Sequence, residues 1–292
     1  MSTFLTLDLQ GPILTLTMNQ PETRNALTGN TAVDELVQAC AMVAKDSSIR
    51  VVILTGNGPV FSSGGNVKDM QRYQTQQLTP DVIREEYRQG IQRIPKALYN
   101  LDVPVIAAVN GPAIGAGLDL TCMCDIRIAS DKATFAESFV KVGIVPGDGG
   151  AWLLPRAVGM SKASEMAFTG EALNAQQALA CGLVSRVVPH EDLLKEALAL
   201  ANKIAANPGG VLRMTKRLLR EGQHMRIDSL LEMSAAFQAI AHHTKEHDQA
   251  IEAFLAAVED PDRFAEQVAH RTVEPPAGHY TARRQDGHVA VA

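Results

Sequence analysis

Two glycine-punctuated segments of this 292-residue chain have the residue types to hold a developing negative charge: residues 61–70 (FSSGGNVKDM) and residues 110–120 (NGPAIGAGLDL). Small side chains leave the main chain open to a ligand, and N–H groups at a helix start point outward without an intrahelical acceptor. Two such N–H groups converging on one oxygen form an oxyanion hole. Either turn taken alone has an alternative reading, a tight turn whose glycines serve only backbone geometry. Neither is a phosphate loop, because Gly115 and Gly117 lack the third glycine of the dinucleotide fingerprint and no Gly-Lys-Ser/Thr follows either turn. Three carboxylates belong to or follow these segments. Asp119 stands in a first helical turn, where it complements the helix dipole even without a chemical task. Asp148, in the run 146–150 (PGDGG), suits turn chemistry and could cap the next helix. Glu137 is expected to be structural or solvent-exposed. His243 and His247 have i,i+4 spacing without the glutamate of an HExxH frame, so no metal site is expected.

The elements that must position these groups alternate in type. Phe4–Leu9 and Ile13–Met18 flank Gln10-Gly11-Pro12 as a predicted β-hairpin. Thr28 is a plausible cap for a helix from Gly29 to Lys45, with Val33, Leu36, Val37 and Cys40 as its apolar stripe. Val51–Leu54 and Val105–Val109 read as buried strands, Ile126–Ala129 and Val184–Val188 as further ones. A polar stretch, Gln71–Thr79, precedes a predicted helix from Pro80 to Asn100. Strands alternating with helices imply parallel crossovers and an α/β core. From His190 the pattern is helical: Glu191–Ala205, Gly210–Glu221, Ser229–His242 and Glu246–Val258. This divides the chain into a core of residues 1–195, a helical region of residues 196–264 and a tail of residues 265–292.

Bulk properties exclude other classes. An apolar fraction of 46% and a charged fraction of 20% are those of an ordinary globular protein. A formal charge of −5 leaves no basic surplus to neutralise phosphates, so no nucleic-acid partner is expected. The most apolar stretch, Val103–Leu120, is interrupted by Pro104, Asn110, Pro112 and Asp119, so no membrane span is expected. The N-terminus lacks a basic segment before an apolar run, so no signal peptide is indicated. Cys40, Cys122, Cys124 and Cys181 lack zinc-site spacing and read as reduced thiols of a cytoplasmic protein.

Taken together, four blocks resemble the crotonase (enoyl-CoA hydratase/isomerase) superfamily in the family's order. They are residues 21–27 (PETRNAL), 61–70, 106–129 (IAAVNGPAIGAGLDLTCMCDIRIA) and 135–155 (FAESFVKVGIVPGDGGAWLLP). The resemblance covers residues 5–258. It implies a crotonase-like stacked ββα superhelix with a helical C-terminal region serving oligomerisation as trimers or pairs of trimers. It further implies an acyl-CoA thioester substrate, with coenzyme A as part of that substrate and no cofactor. By motif position the oxyanion donors are the Gly65 and Ala116 N–H groups. Asp119 takes the place of one hydratase glutamate and the first proton-transfer role. The second hydratase glutamate is replaced by Phe139, which would desolvate a neighbouring carboxylate, and Asp148 lies one residue from an aspartate of a ring-isomerising branch. Binding is assigned to Arg24, near the CoA nucleotide, and to Ala26, Ser63, Gly64, Gly65, Asn66, Val67, Gly115, Ala116 and Phe139. The implied reaction is hydration of a 2-enoyl-CoA. A single-carboxylate double-bond or ring isomerisation is the alternative, followed by thioester hydrolysis, decarboxylation or binding without catalysis. Acyl-chain identity is left open, because the pocket is expected to draw on variable loops such as Gln71–Thr79 and Glu85–Leu98.

Overall fold

The computed structural model describes residues 3–258, and the predicted tail of residues 265–292 lies outside them. In chain order the elements are β1 (Leu5–Gln10), β2 (Ile13–Met18), α1 (Ala32–Lys45), β3 (Val51–Gly56), α2 (Val67–Thr75), α3 (Pro80–Gln89), α4 (Arg93–Tyr99), β4 (Val105–Val109), β5 (Ala113–Ile114), α5 (Ala116–Met123), β6 (Ile126–Ser130), β7 (Thr134–Ala136), α6 (Gly150–Val158), α7 (Met160–Thr169), β8 (Ala172–Asn174), α8 (Ala175–Ala180), β9 (Arg186–Val188), α9 (Leu193–Ala205), α10 (Gly209–Glu221), α11 (Ile227–His242) and α12 (Lys245–Val258). By internal contacts the chain divides after Gln238 into two compact units. The second holds the end of α11 and α12, where His242 Nδ1 lies 3.0 Å from His247 Nε2. No helix among the described residues is long and apolar enough to cross a membrane.

In the first unit a six-stranded sheet runs β1-β2-β3-β4-β6-β9 and a three-stranded sheet runs β5-β7-β8. Only the β1–β2 and β7–β8 pairs are antiparallel. The chain climbs in rungs, each placing one strand in the large sheet and a short one in the small layer. β3 is followed by Ser62, which bridges Ala113; β4 is followed by β5; β6 is followed by β7, where Ala113 pairs with Phe135. Alternation along the strands makes two cores, as a pleated strand requires. Val52 and Leu54 face the larger one with Leu36, Leu98 and Phe61. Val51, Ile53, Ile106 and Ile128 face Leu193, Ala197, Ala201 and Ala205, the i,i+4 stripe of α9. On α10, Lys216 is buried, its ammonium 2.7 Å from Asp125 Oδ2 and donating to the Val103 carbonyl at 2.7 Å.

Three local expectations are corrected. The Gln71–Thr79 stretch is mostly helix: α2 begins at Val67, with Asn66 Oδ1 accepting the Lys68 N–H at 3.1 Å. The helix predicted over Pro80–Asn100 breaks after Gln89, because Gly90 ends it and Pro95 has no N–H to donate back to Ile91. Thr28 caps nothing. Its hydroxyl accepts the Asn66 N–H at 2.8 Å, while α1 starts at Ala32, whose N–H donates to Asn30 Oδ1.

Candidate functional site

The two glycine turns are adjacent rungs in direct contact. The Ser62 carbonyl accepts the Ile114 N–H at 3.0 Å, and the Pro112 carbonyl accepts the Phe61 and Ser62 N–H groups. A β-carbon on Gly117 would stand 2.2 Å from the Ser62 oxygen. On Gly64 (φ +79) it would stand 2.4 Å from the Ile114 oxygen and 2.9 Å from the Ala116 nitrogen. Glycine is therefore required where main chain meets main chain. Residues 24–27 brace the first turn: Ser63 N–H donates to the Arg24 carbonyl at 2.9 Å and Leu27 N–H to the Gly64 carbonyl at 2.8 Å. Asn25 is wholly buried; its amide nitrogen lies within 3.2 Å of the Asn57, Val60 and Phe61 carbonyls. Gly65 and Ala116 both line one cavity of about 420 Å3, and among the described residues neither N–H has a protein acceptor.

The same rungs carry two buried carboxyl groups, and the loop before α6 adds a third. Gly115 (φ +54) turns the chain from β5 into α5 and donates its N–H to the Ala136 carbonyl at 2.8 Å, tying the start of α5 to the end of β7. Every residue of α5 is buried, Asp119 completely. Asp119 Oδ2 accepts the Gly150 N–H at 3.1 Å, and a β-carbon on Gly150 would lie 2.1 Å from Oδ1, so a side chain at the start of α6 would displace the Asp119 carboxyl. Glu137, the first residue after β7, is 1% exposed, which removes the solvent-exposed alternative and leaves the structural one. A run leaving a buried strand, with Phe135 fully buried before it and Phe139 after it, was the available signal. Asp148 is also buried and does not cap α6, whose N-cap is Gly149 (φ 110) without a side-chain bond. Asp119 Oδ1, both Glu137 oxygens and Asp148 Oδ2 have no hydrogen-bond donor.

Burial without donors disfavours the charged form. Burial and the neighbouring Glu137 and Asp148 carboxyls hold Asp119 well above the usual carboxylate range. Burial raises Glu137 to about 7 and Asp148 to about 6. No group of three His, Cys, Asp or Glu side chains that could hold a metal ion occurs among the described residues.

Of the residues expected at the site, Gly65, Ala116, Phe139 and Asp148 lie on the cavity wall. Asp119 does not reach that wall and sits behind it. Ser63, Gly64 and Gly115 shape the turns, and Asn66 spends its side chain as the α2 cap. Ala26 is buried, its carbonyl accepting from Asn30; Arg24 and Val67 are exposed. The rest of the wall comes from α1–α4 with the loops before α1 and after α3, and includes Met70, Tyr73 and Tyr87. Its rim is charged, with Arg72 paired to Glu86 at 2.5 Å and Arg93 to Asp34 at 2.6 Å.

Stacked rungs enclosing two unpartnered amides define a crotonase-fold protein, and comparison with known proteins agrees. The chain belongs to the enoyl-CoA hydratase/isomerase family, whose model ("Enoyl-CoA hydratase/isomerase") matches residues 8–267. It is 36% identical over 246 residues to the 2,3-dehydroadipyl-CoA hydratase of Escherichia coli K12, covering 84% of this chain and 93% of that protein. It is 33% identical to the 1,2-epoxyphenylacetyl-CoA isomerase of the same organism, covering 88% and 97%. The crystal structure of an enoyl-CoA hydratase from Bacillus anthracis superposes with a TM-score of 0.81 at 30% identity, covering 87% of this chain and 96% of that one.

Proposed function

We propose that this enzyme hydrates a 2-enoyl-CoA, with the thioester oxygen held by the Gly65 and Ala116 N–H groups and Asp148 moving the proton. One observation carries the reading: two amides without acceptors and one buried carboxyl share a single cavity wall. The water oxygen bonds the β-carbon while the double-bond electron pair moves through the α-carbon onto the thioester oxygen. Asp148, as carboxylate, takes the proton that water loses and returns it to the α-carbon as the enolate collapses. Water is consumed and no other group changes. The amides face charge that exists only at the transition state and in the enolate, which is how such donors accelerate a reaction. Burial of the Asp148 carboxyl, with Tyr87 beside it, raises its affinity for the proton that water gives up. Asp119 acts behind Asp148, not on the substrate.

A second reading, double-bond isomerisation, is favoured by the single carboxyl on the wall, since one proton shuttle suffices for it. The 33% identity to an isomerase supports it too. Crotonyl-CoA hydration and 3-enoyl-CoA isomerisation, assayed in parallel, separate the two. Asp148→Asn is expected to lower kcat of the true reaction about a hundredfold to ten-thousandfold. Full activity of that variant in both assays removes Asp148 from the mechanism. A homotrimer or pair of trimers and a cytoplasmic location belong to the same proposal. The exposed apolar side chains Phe168, Leu219 and Ile227 support the first and four free thiols the second.

A further inference from the structure

Asp119 and Glu137 form a buried pair to which the reaction above assigns no proton. Their carboxyl groups lie within hydrogen-bonding reach of each other. Three of their four oxygens receive no donor from the protein, and the fourth receives only the Gly150 N–H. Neither is paired with a lysine, arginine or histidine among the described residues. Two carboxylates in that setting would repel each other in a medium that screens poorly, and neither could offer the other a hydrogen. One proton between them removes both problems, because the protonated oxygen donates to its neighbour. The groups facing the pair are Asp148, from the loop before α6, and Cys122, one turn along α5, with the Arg127 guanidinium beyond that thiol. Tyr87 of α3 lies close enough to Asp148 to feel its charge. None of the near neighbours is a cation that could take the place of the proton.

We propose that Asp119 and Glu137 share a single proton at neutral pH, and that by staying singly charged the pair keeps a second negative charge away from the enolate formed beside Asp148. Glu137 is then a positioning residue: it acts through Asp119 and touches no substrate. Loss of the shared proton at alkaline pH places two charges behind a site that must accumulate a third, and enolate formation slows. This deepens the acyl-CoA reading, yet the proton itself is read without substrate, so the two fail separately.

The test has two arms on the intact protein. Infrared spectra of the wild type, with no ligand, are expected to show a protonated-carboxyl C=O band at neutral pH that shifts on deuteration and persists in Asp148→Asn. Glu137→Gln is expected to lose the band, since the Gln amide donates to an Asp119 carboxylate. Absence of the band from the wild type overturns the proposal, and that arm requires no variant to fold. In the second arm, pH profiles of kcat for crotonyl-CoA hydration, or for 3-enoyl-CoA isomerisation if that is the activity, are compared. The wild type is expected to lose activity about tenfold or more on its alkaline limb, whereas Glu137→Gln and Asp119→Asn both flatten that limb, neither pair being able to carry two charges. A purely structural role for Glu137 would lower the whole profile and leave its shape, and an alkaline limb unchanged in both variants overturns the proposal.

Discussion

Asp148 combines a raised proton affinity with burial, and the combination has a consequence for stability. In the unfolded chain its carboxyl titrates near 3.8, in the folded protein at about 6. Between those values the folded state binds more protons, so the favourable contribution present at acid pH is lost as pH rises through 6. Above that the penalty is on the order of 3 kcal/mol. Asp148→Asn is therefore expected to stabilise the enzyme at mildly alkaline pH and to leave it little changed at strongly acid pH, as read from urea midpoints. A site that weakens its own fold in this way is common where groups are kept for chemistry. Asn25 is the counterpart: it holds three loop carbonyls and serves architecture.

At the scale of elements, the site is made by rungs that repeat. Gly65 and Ala116 follow the stacked positions Ser62 and Ala113 by the same three residues, so the two donors emerge from adjacent rungs. Close main-chain approach between rungs is the price of that geometry. Gly64→Ala places a methyl group 2.4 Å from a backbone oxygen at a left-handed φ of +79, and is expected to destabilise the fold by roughly 2 kcal/mol or more while impairing thioester binding. Gly143→Ala, at φ +73 with open space around it, carries only the conformational term, about 1 kcal/mol. Equal losses in the two variants, measured by chemical denaturation, would contradict the steric account.

For the whole molecule, exposed apolar side chains are the feature to explain. Phe168 and Leu219 are 78% and 70% exposed, and Met160, Ile227 and Leu231 are exposed as well. Single exposed apolar residues are ordinary, but several on α7, α10 and α11 suit self-association. Sedimentation velocity is expected to show a trimer or a pair of trimers across micromolar concentrations. A monomer at all concentrations would remove the oligomer from the functional reading.

The sequence by itself determined the α/β class, the order of most strands, and the two turns whose glycines and small residues line one site, because these depend on local pattern and on close packing only glycine permits. It also marked Asp119 and Asp148 as carboxyls worth attention. Which of them reaches the cavity, and that Glu137 is buried against Asp119, was decided by the tertiary structure. Burial of a side chain depends on what packs over it: β7 stacking beneath β5, α6 beginning at Gly150 against Asp119, and α3 bringing Tyr87 to Asp148. None of these contacts is local in sequence, and each sets the dielectric in which a carboxyl keeps or loses its proton.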